Sequence, residues 1–286
     1  MEKGTLYLCA TPIGNLDDIT IRALNTLKEA DLIACEDTRH SLRLLNHFGI
    51  SKPLTSYHEH NKFEKGEALI QKLNEGASIA LVTDAGTPAI SDPGEELVKK
   101  CIEHGIRVVP VPGAAALINA LIVSGKSTRR FAFEGFLPVN STARKTLLEQ
   151  IADYPETMIF YEAPHKLVRT LADMLSVLGD REISIVREIT KIHESMTPTT
   201  LSAALDFYTK NQPKGEFVLV VSGKSADAAE AERRAEFEGL SVREHVDLLI
   251  ARGADKKDAI KQAAKQRGVA KRDVYNEYNG GGSDEF

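Results

Sequence analysis

Two groups of polar residues early in the chain carry side chains that can bind a substrate or transfer a proton. The motif E-D-T-R-H (Glu36–His40) follows an apolar, strand-like run and combines two carboxylates, a guanidinium and an imidazole. Polar groups at the end of a buried strand are costly unless they are solvated or functional. The motif S-Y-H-E-H-N (Ser56–Asn61) also follows a short strand-like run, and its imidazoles can donate hydrogen bonds to a substrate or to RNA oxygens. We interpret both motifs as parts of a functional site, with an ion-paired loop surface as the alternative.

Metal binding is not indicated by the histidines or the cysteines. His58 and His60 are two residues apart, so their side chains point to opposite faces if the strand continues, and no third ligand is evident. The three cysteines, Cys9, Cys35 and Cys101, lack C-x-x-C spacing. We predict that they are reduced thiols in the core.

Three loops rich in glycine, proline and small residues also follow predicted strands. They are T-P-I-G-N (Thr11–Asn15), D-A-G-T-P (Asp84–Pro88) continuing into S-D-P-G (Ser91–Gly94), and V-P-G-A-A-A (Val111–Ala116). Loops at the carboxyl ends of parallel strands commonly bind ligands, and glycine allows a ligand to approach the backbone. None of the loops matches G-x-G-x-x-G or G-x-x-x-x-G-K-[ST], which argues against a nucleotide-phosphate cradle and against a phosphate-binding hydrolase. Ordinary tight turns or helix packing are the alternatives.

The elements that must position these motifs alternate between strands and helices. Strand-like runs near Leu6, Leu32, Ile79 and Val108 are followed by helical segments such as Ile19–Glu29 and Phe63–Leu73, where Gly76 supplies a stop. This alternation predicts a mostly parallel sheet that is covered on both faces. A second set of strands is predicted at Phe131–Glu134, Thr157–Tyr161, Glu182–Arg187 and Glu216–Val221, and a further strand at Ile192–Met196 would make that half mixed.

The chain of 286 residues has room for two ordinary domains and a small appendage. We place a hinge near Ala116–Ser124, and a linker where residues 225–238 are rich in Ala, Glu, Asp and Arg. The predicted divisions are residues 1–118 and 119–224 for two α/β domains, 225–238 for the linker, 239–279 for a basic module of two or three helices broken at Gly253 and Gly268, and 280–286 for a flexible tail.

Charge is distributed unevenly along the chain. The net charge is −5, but Arg243–Arg272 holds nine basic and four acidic residues, so this segment is +5 and the remainder about −10. A basic module on an acidic body predicts a polyanionic partner.

The start of the chain lacks the features of a secretory signal. Prolines and Gly113 interrupt the apolar region Ile106–Val123, which is therefore unsuited to span a membrane. We expect a cytoplasmic protein without a membrane span.

Eight motifs in sequence order resemble one bacterial family. These motifs are T-P-I-G-N, E-D-T-R-H, H-E-H-N, D-A-G-T-P with S-D-P-G, P-G-A-A-A, E-G-F-L-P (Glu134–Pro138), R-E-I-T-K (Arg187–Lys191) and K-G-E-F-V-L-V (Lys214–Val220). From about Leu6 to Tyr278 the chain is similar to the ribosomal RNA small-subunit methyltransferase I family, which 2′-O-methylates the ribose of a cytidine in 16S RNA. Each motif alone is weak evidence, whereas the ordered set is specific.

The resemblance implies a tetrapyrrole-methylase-like (class III) α/β fold, in which two domains enclose S-adenosylmethionine, with a small helical C-terminal module for RNA binding. It also implies a homodimer, with the small ribosomal subunit as partner. The residues implied to bind the cofactor are Pro12, Asp84, Ala85, Gly86, Thr87, Pro88, Ala115, Ala116, Tyr161 and Phe217. The A-A-A segment stands where many members of the class have a hydroxyl residue, which removes a side-chain hydrogen bond there.

Methyl transfer to a ribose hydroxyl requires alignment of the hydroxyl and removal of its proton. We expect the residues around the acceptor nucleotide to be Glu36, Asp37, Arg39, His58 and Lys191. A carboxylate or His58 accepts the proton, and the sequence leaves the choice open.

Two rival functions remain. The first is methylation of a tetrapyrrole or corrinoid precursor, and the basic module argues against it. The second is RNA binding without catalysis.

Overall fold

The structure is a computed structural model that describes residues 2–237 and 239–280. The chain forms two compact units, Met1–Gly223 and Lys224–Phe286. Among the described residues, no helix is both long and apolar enough to cross a bilayer.

The first sheet of the larger unit has five parallel strands in the order β3-β2-β4-β1-β5. The strands are β1 (Thr5–Cys9), β2 (Leu32–Cys35), β3 (Leu54–Ser56), β4 (Ile79–Val82) and β5 (Arg107–Val111). The helices between them are α1 (Ile21–Glu29), α2 (Thr38–His47), α3 (Lys62–Asn74) and α4 (Gly94–Glu103). The predicted parallel sheet is confirmed.

Successive strand residues point to opposite faces of this sheet, and helices cover both faces. On one face Leu6 and Leu81 pack with Leu73 of α3 and Leu97 of α4; on the other, residues of the same strands pack against α1 and α2. All three cysteines are free and buried, as predicted. Burial raises the pKa of the Cys9 thiol to about 12 and that of Cys101 to about 11, which disfavours the reactive thiolate.

The segment that follows the first sheet differs from the predicted hinge. Residues 116–124 form helix α5 (Ala116–Val123) and its C-cap. The run has no Gly or Pro, and its apolar side chains recur at helical spacing. Leu117, Ala120 and Leu121 pack against the second sheet, so the predicted division at residue 118 falls inside this helix.

The second sheet is mixed and has the order β6-β7-β10-β8-β9. Its strands are β6 (Phe131–Phe136), β7 (Thr157–Glu162), β8 (Glu182–Arg187), β9 (Ser195–Thr200) and β10 (Phe217–Val221), and its helices are α6 (Ser141–Gln150), α7 (Leu167–Leu178) and α8 (Leu201–Lys210). Only β6 and β7 pair in parallel; the other pairs are antiparallel. The expected extra strand exists, but it begins at Ser195 and not at Ile192. Positive φ angles at Glu188 (52°) and Thr190 (69°) bend the chain after β8 and delay the next strand.

The smaller unit contains four helices within its described residues, namely α9 (Ala226–Phe237), α10 (Val242–Ala251), α11 (Lys256–Arg267) and α12 (Lys271–Asn279). The predicted linker at residues 225–238 is wrong for the part that α9 occupies. Its Ala, Glu and Arg residues favour helix, and Phe237 stacks on buried His245 with ring centroids 3.8 Å apart. The predicted breaks at Gly253 and Gly268 are confirmed, since both glycines adopt positive φ after a helix. Of the predicted tail, residues 281–286 lie outside the described residues.

Candidate active site

A cavity of about 510 Å³ lies between the two sheets of the larger unit. Since the strands of the first sheet are parallel, the loops after their carboxyl ends meet at one edge and supply one wall. This wall includes Ile13, Glu36, Gly86, Thr87, Asp92 and Ala115. The opposite wall comes from the second sheet and includes Phe136, Tyr161, Pro164, Val186 and Phe217.

Backbone hydrogen bonds join two of the Gly/Pro loops at this wall. The N–H of Thr11 donates to the carbonyl of Gly86 (2.9 Å), and the N–H of Gly86 donates to the carbonyl of Thr11 (3.1 Å). Gly86 has φ of 87°, and a Cβ there would lie 3.3 Å from Cγ2 of Ile13. The positive φ angle favours glycine at this position, and a Cβ there would press on the Ile13 side chain.

Hydrogen bonds also connect the third loop to the wall and to the second sheet. Thr87 Oγ1 donates to the carbonyl of Ala114 (3.1 Å), which connects the D-A-G-T-P loop to the loop before α5. The N–H of Leu117, near the start of α5, donates to the Tyr161 hydroxyl (3.2 Å). The Tyr161 ring makes edge contacts with Phe133 and Phe136, at centroid distances of 4.9 and 5.5 Å. Burial raises the pKa of Tyr161, so the hydroxyl remains neutral.

The structure brings most of the predicted cofactor residues together. Seven of the ten line the cavity: Ala85, Gly86, Thr87, Ala115, Ala116, Tyr161 and Phe217. Pro12, Asp84 and Pro88 do not line it. Asp84 instead supports the adjacent loop, because its Oδ1 accepts a hydrogen bond from the N–H of Asp37 (3.1 Å).

Glu36 is the one residue of the predicted catalytic set that lines the cavity. Its Oε2 accepts a hydrogen bond from Thr83 Oγ1 (3.4 Å). Burial raises the pKa of Glu36, the charges of Asp84 and Asp92 raise it further, and Thr83 and His58 lower it by less. A carboxylate with a raised pKa beside a cavity has the properties of a general base.

Asp92, which the sequence reasoning did not assign, also lines the cavity. Its Oδ1 accepts hydrogen bonds from the N–H groups of Ala89 (3.0 Å) and Gly94 (2.7 Å). Its Oδ2 is buried and has no partner among the described residues. Burial raises the pKa of Asp92 despite the hydrogen bonds, and its place within the S-D-P-G motif was the available signal.

Asp37 and Arg39 lie outside the cavity lining and pair with each other. Asp37 is the N-cap of α2, where its Oδ1 accepts from the N–H of Arg39 (2.8 Å), and its Oδ2 pairs with Arg39 Nη2 (2.8 Å). Hydrogen bonds from Arg39 lower the pKa of Asp37 to about 2. This carboxylate therefore caps a helix and is a weak base.

His58 and Lys191 are also outside the lining. Lys191 Nζ lies 2.9 Å from Glu188 Oε1 and 2.9 Å from Glu216 Oε2. A Cβ at Gly14 would lie 2.5 Å from Cγ of Lys191, so the T-P-I-G-N loop contacts the loop after β8. Sequence reasoning did not assign Glu216, which lines the cavity, because it is a single charge before an apolar strand.

Among the described residues, no cluster of three or more His, Cys, Asp or Glu side chains is arranged to hold a metal ion.

Comparison with known proteins identifies the family. The profile of the tetrapyrrole (corrin/porphyrin) methylases matches residues 5–205. The ribosomal RNA small subunit methyltransferase I of Halalkalibacterium halodurans is 53% identical over 97% of this chain and 96% of its own length. The proteins of the same name from Bacillus subtilis and Pseudomonas aeruginosa are 48% and 47% identical, and each match covers 97% of this chain and 95% and 97% of the relative. The chain belongs to the ribosomal RNA small subunit methyltransferase I family, within the tetrapyrrole methylases.

Solved structures show that the fold of this methyltransferase I family member is shared more widely. Diphthine synthase superposes with a TM-score of 0.60 at 14% identity, covering 78% of this chain and 91% of that one. Uroporphyrin-III C-methyltransferase of Thermus thermophilus, complexed with S-adenyl homocysteine, has a TM-score of 0.54 at 20% identity, covering 76% and 97%. The predicted class of two α/β halves followed by a helical C-terminal region is confirmed.

Proposed function

We propose that this protein transfers a methyl group from S-adenosylmethionine to the ribose 2′-hydroxyl of a cytidine in 16S ribosomal RNA. The observation that carries the proposal is the 53% identity to a ribosomal RNA small subunit methyltransferase I over nearly the whole chain. The site is compatible with this chemistry, because Glu36 places a carboxylate beside a cavity between the two sheets.

The cavity fits the cofactor in size and chemistry. Small-molecule sites are typically about 300–1,000 Å³, mostly apolar, with a few oriented polar groups. This cavity of about 510 Å³ has apolar side chains such as Phe217 and Val218, a close-packed glycine backbone at Gly86, and carboxylates at Glu36 and Asp92. We propose that the cofactor contacts the seven lining residues Ala85, Gly86, Thr87, Ala115, Ala116, Tyr161 and Phe217, while Pro12, Asp84 and Pro88 shape the loops behind them. A solved structure of this fold that contains S-adenyl homocysteine supports the choice of cofactor.

S-adenosylmethionine supplies a methyl group on a sulfonium, which is already a strong electrophile. The protein must then align the ribose hydroxyl and remove its proton. Alignment accounts for the larger share, roughly 7–11 kcal/mol by effective-molarity arguments, while a general base contributes about 10²–10⁴-fold. We propose that Glu36, Asp37, Arg39, His58 and Lys191 surround the acceptor nucleotide. Of these, Glu36 lines the cavity and the other four lie beyond its lining.

The decisive experiment supplies purified protein with radiolabelled S-adenosylmethionine and under-methylated small ribosomal subunits, and then maps the label. We expect one labelled cytidine, with the label on its ribose. Labelling of a tetrapyrrole precursor but not of RNA would favour the rival methylase function. An absence of binding heat on titration with S-adenosylmethionine would favour an RNA-binding protein without catalysis.

We propose that the smaller unit binds RNA through phosphate contacts. Lys257, Lys261 and Lys265 recur at four-residue spacing along α11 and are exposed, so they form one basic stripe. Lys271 and Arg272 are exposed at the start of α12. A positive stripe of this kind binds polyanions without sequence preference, in a salt-dependent way.

We also propose that the protein is a cytoplasmic homodimer, as its ribosomal substrate and its resemblance imply. Helix α5 supports the dimer, because its Ile118, Ile122 and Val123 are 43%, 64% and 45% exposed. Contiguous exposed apolar residues often mark protein interfaces. Light scattering should give the mass of a dimer for the native protein and for the control Ile102→Asp on α4, and that of a monomer for Ile122→Asp. A monomeric native protein would contradict the dimer.

A further inference from the structure

Asn61 has an unusual role at the start of α3. It is the N-cap residue of this helix, a position where asparagine normally accepts a hydrogen bond from a backbone N–H two or three residues later. Here its side chain makes no capping bond and turns back toward His58. A favourable local interaction has been replaced by contacts with the preceding loop.

Two backbone groups fix the orientation of the Asn61 amide. Its Oδ1 accepts a hydrogen bond from the N–H of His58 (2.9 Å), which is a donor only. Its Nδ2 donates to the carbonyl oxygen of Ser56 (3.3 Å), which is an acceptor only, and also lies 3.1 Å from Ser56 Oγ. A reversed amide would oppose donor to donor and acceptor to acceptor.

The amide orientation selects the tautomer of His58. With the amide fixed, Asn61 Nδ2 faces Nε2 of His58 at 3.2 Å. An amino group offers only donors, so Nε2 must act as the acceptor and carry no proton. In the neutral ring the proton is therefore on Nδ1, which is buried and has no partner among the described residues. His58 presents an N–H donor from Nδ1.

His58 and Glu36 leave the same edge of the sheet, one step of the strand register apart. Cys35 pairs with Ser56, and the N–H of Tyr57 donates to the carbonyl of Cys35 (2.7 Å), so Glu36 follows directly on one chain and His58 follows Tyr57 on the other. His58 is also among the groups whose charge acts on Glu36. The donor and the cavity carboxylate therefore belong to one edge of the sheet.

We infer that Asn61 is a positioning residue that holds His58 in the tautomer protonated on Nδ1, so that Glu36 and not His58 accepts the ribose proton. This inference rests on the proposed function. As the bond from O2′ to the methyl carbon forms, the carbon–sulfur bond of the donor breaks and its electron pair stays on sulfur. The hydroxyl proton moves to the Glu36 carboxylate, so the positive charge of the sulfonium and the negative charge of the carboxylate are both neutralised.

The tautomer can be tested without any substrate. In long-range ¹H–¹⁵N spectra of histidine-labelled protein at alkaline pH, with His58 assigned by its loss in His58→Gln, we expect the pattern of the Nδ1–H tautomer. Asn61→Asp replaces the amino group with an acceptor of the same shape and should convert His58 to the Nε2–H tautomer. An Nε2–H pattern in the native protein would overturn the inference, whether or not the variant folds.

The catalytic consequence is tested by kinetics on small ribosomal subunits. Glu36→Gln should reduce kcat by about 10²–10⁴-fold. Asn61→Asp should reduce kcat by about tenfold, a smaller effect, while its KM for S-adenosylmethionine stays unchanged. The control Asn211→Asp makes the same amide-to-carboxylate change at the exposed C-cap of α8 and should retain the native kcat.

Two kinetic results would contradict the inference. Retention of native kcat by Glu36→Gln would remove Glu36 as the proton acceptor. A change of tautomer in Asn61→Asp without a change in kcat would show that Asn61 has no positioning role. If the native protein methylated no ribosomal RNA, the proposed function would fail, whereas the spectroscopic result would still report the tautomer.

Discussion

The hydroxyl of Tyr161 accepts a hydrogen bond from the backbone N–H of Leu117 at 3.2 Å. Leu117 is in the first turn of α5, where N–H groups have no partner within the helix, and the N-cap Ala115 has no side-chain acceptor. A tyrosine on β7 therefore caps the helix that follows the first sheet. Because both residues line the cavity, this bond joins its two walls.

Tyr161→Phe should lower the free energy of unfolding by about 1 kcal/mol, the usual effect of losing a helix cap. The ring contacts with Phe133 and Phe136 remain, so the decrease in the free energy of unfolding reports the loss of the hydrogen bond alone. Urea denaturation measures it, with Tyr154→Phe at an exposed tyrosine as the control. We also expect weaker binding of S-adenosylmethionine by calorimetry; equal stability and affinity would show that the bond is unimportant.

The pH dependence of kcat should report the environment of Glu36. Burial and the charges of Asp84 and Asp92 raise its pKa above 4.5, while Thr83 and His58 lower it by less. As a base it must be ionised, so kcat should fall with decreasing pH through a value above 4.5.

Asp84→Asn removes one of the charges that raise the pKa of Glu36. The acid limb of the profile of kcat against pH should therefore move to lower pH. The amide oxygen can still accept from the N–H of Asp37, so the loop is retained. Asp31→Asn is the matched control, since Asp31 also accepts a backbone N–H, from Ser78 at 2.8 Å, but precedes β2 at the opposite edge of the sheet. An unshifted limb in Asp84→Asn would exclude Glu36 as the titrating base.

The basic stripe on α11 should dominate the salt dependence of RNA binding. Lys261→Gln with Lys265→Gln should reduce the slope of log K against log salt by about one to two, because each phosphate contact contributes about 0.7–0.9. The control is Lys28→Gln with Lys72→Gln, which removes two exposed lysines near the ends of α1 and α3, away from the carboxyl edge of the sheet. Equal slopes in the two double variants would argue against the stripe.

The buried ion pair between Arg144 and Asp173 should stabilise the second half of the larger unit. Arg144 Nε and Nη2 lie 2.9 and 2.5 Å from Asp173 Oδ2, and Nη1 donates to the carbonyl of Pro138 (2.9 Å). Asp173→Ala leaves a buried guanidinium without its carboxylate and should cost about 3–5 kcal/mol in urea denaturation. The exposed control Asp206→Ala, which breaks a surface pair with Lys210, should cost less than about 1 kcal/mol.

This ion pair also has a defined pH dependence. Burial alone raises the pKa of Asp173, but hydrogen bonds from Arg144 and Ser141 and the charges of Arg144 and Lys145 outweigh burial and lower it. The stabilisation is therefore complete above the unfolded value of about 3.9 and is lost as pH falls through the lower folded value. The difference in stability between the native protein and Asp173→Asn should shrink in that range; a constant difference would contradict the assignment.

The sequence by itself determined the sheet of parallel strands, the mixed second half, the helix breaks at Gly253 and Gly268 and the gathering of the motif loops. These features follow from local signals, because strand and helix periods, caps and glycines act over a few residues. A parallel sheet then brings the loops to one edge by geometry alone. Where weak loop signals were weighed against helix propensity, at Ala116–Val123 and Ala226–Phe237, the structure has helices.

Only the tertiary structure decided which polar side chains face the cavity. Glu36 lines it, whereas Asp37, one residue later, caps α2 and donates its backbone N–H to the carboxylate of Asp84, which is 47 residues away in the sequence. Asn61 turns away from its helix toward His58, and Lys191 is held by Glu188 and Glu216. The direction of a side chain at a strand end depends on partners that are distant in sequence, and no local pattern encodes them.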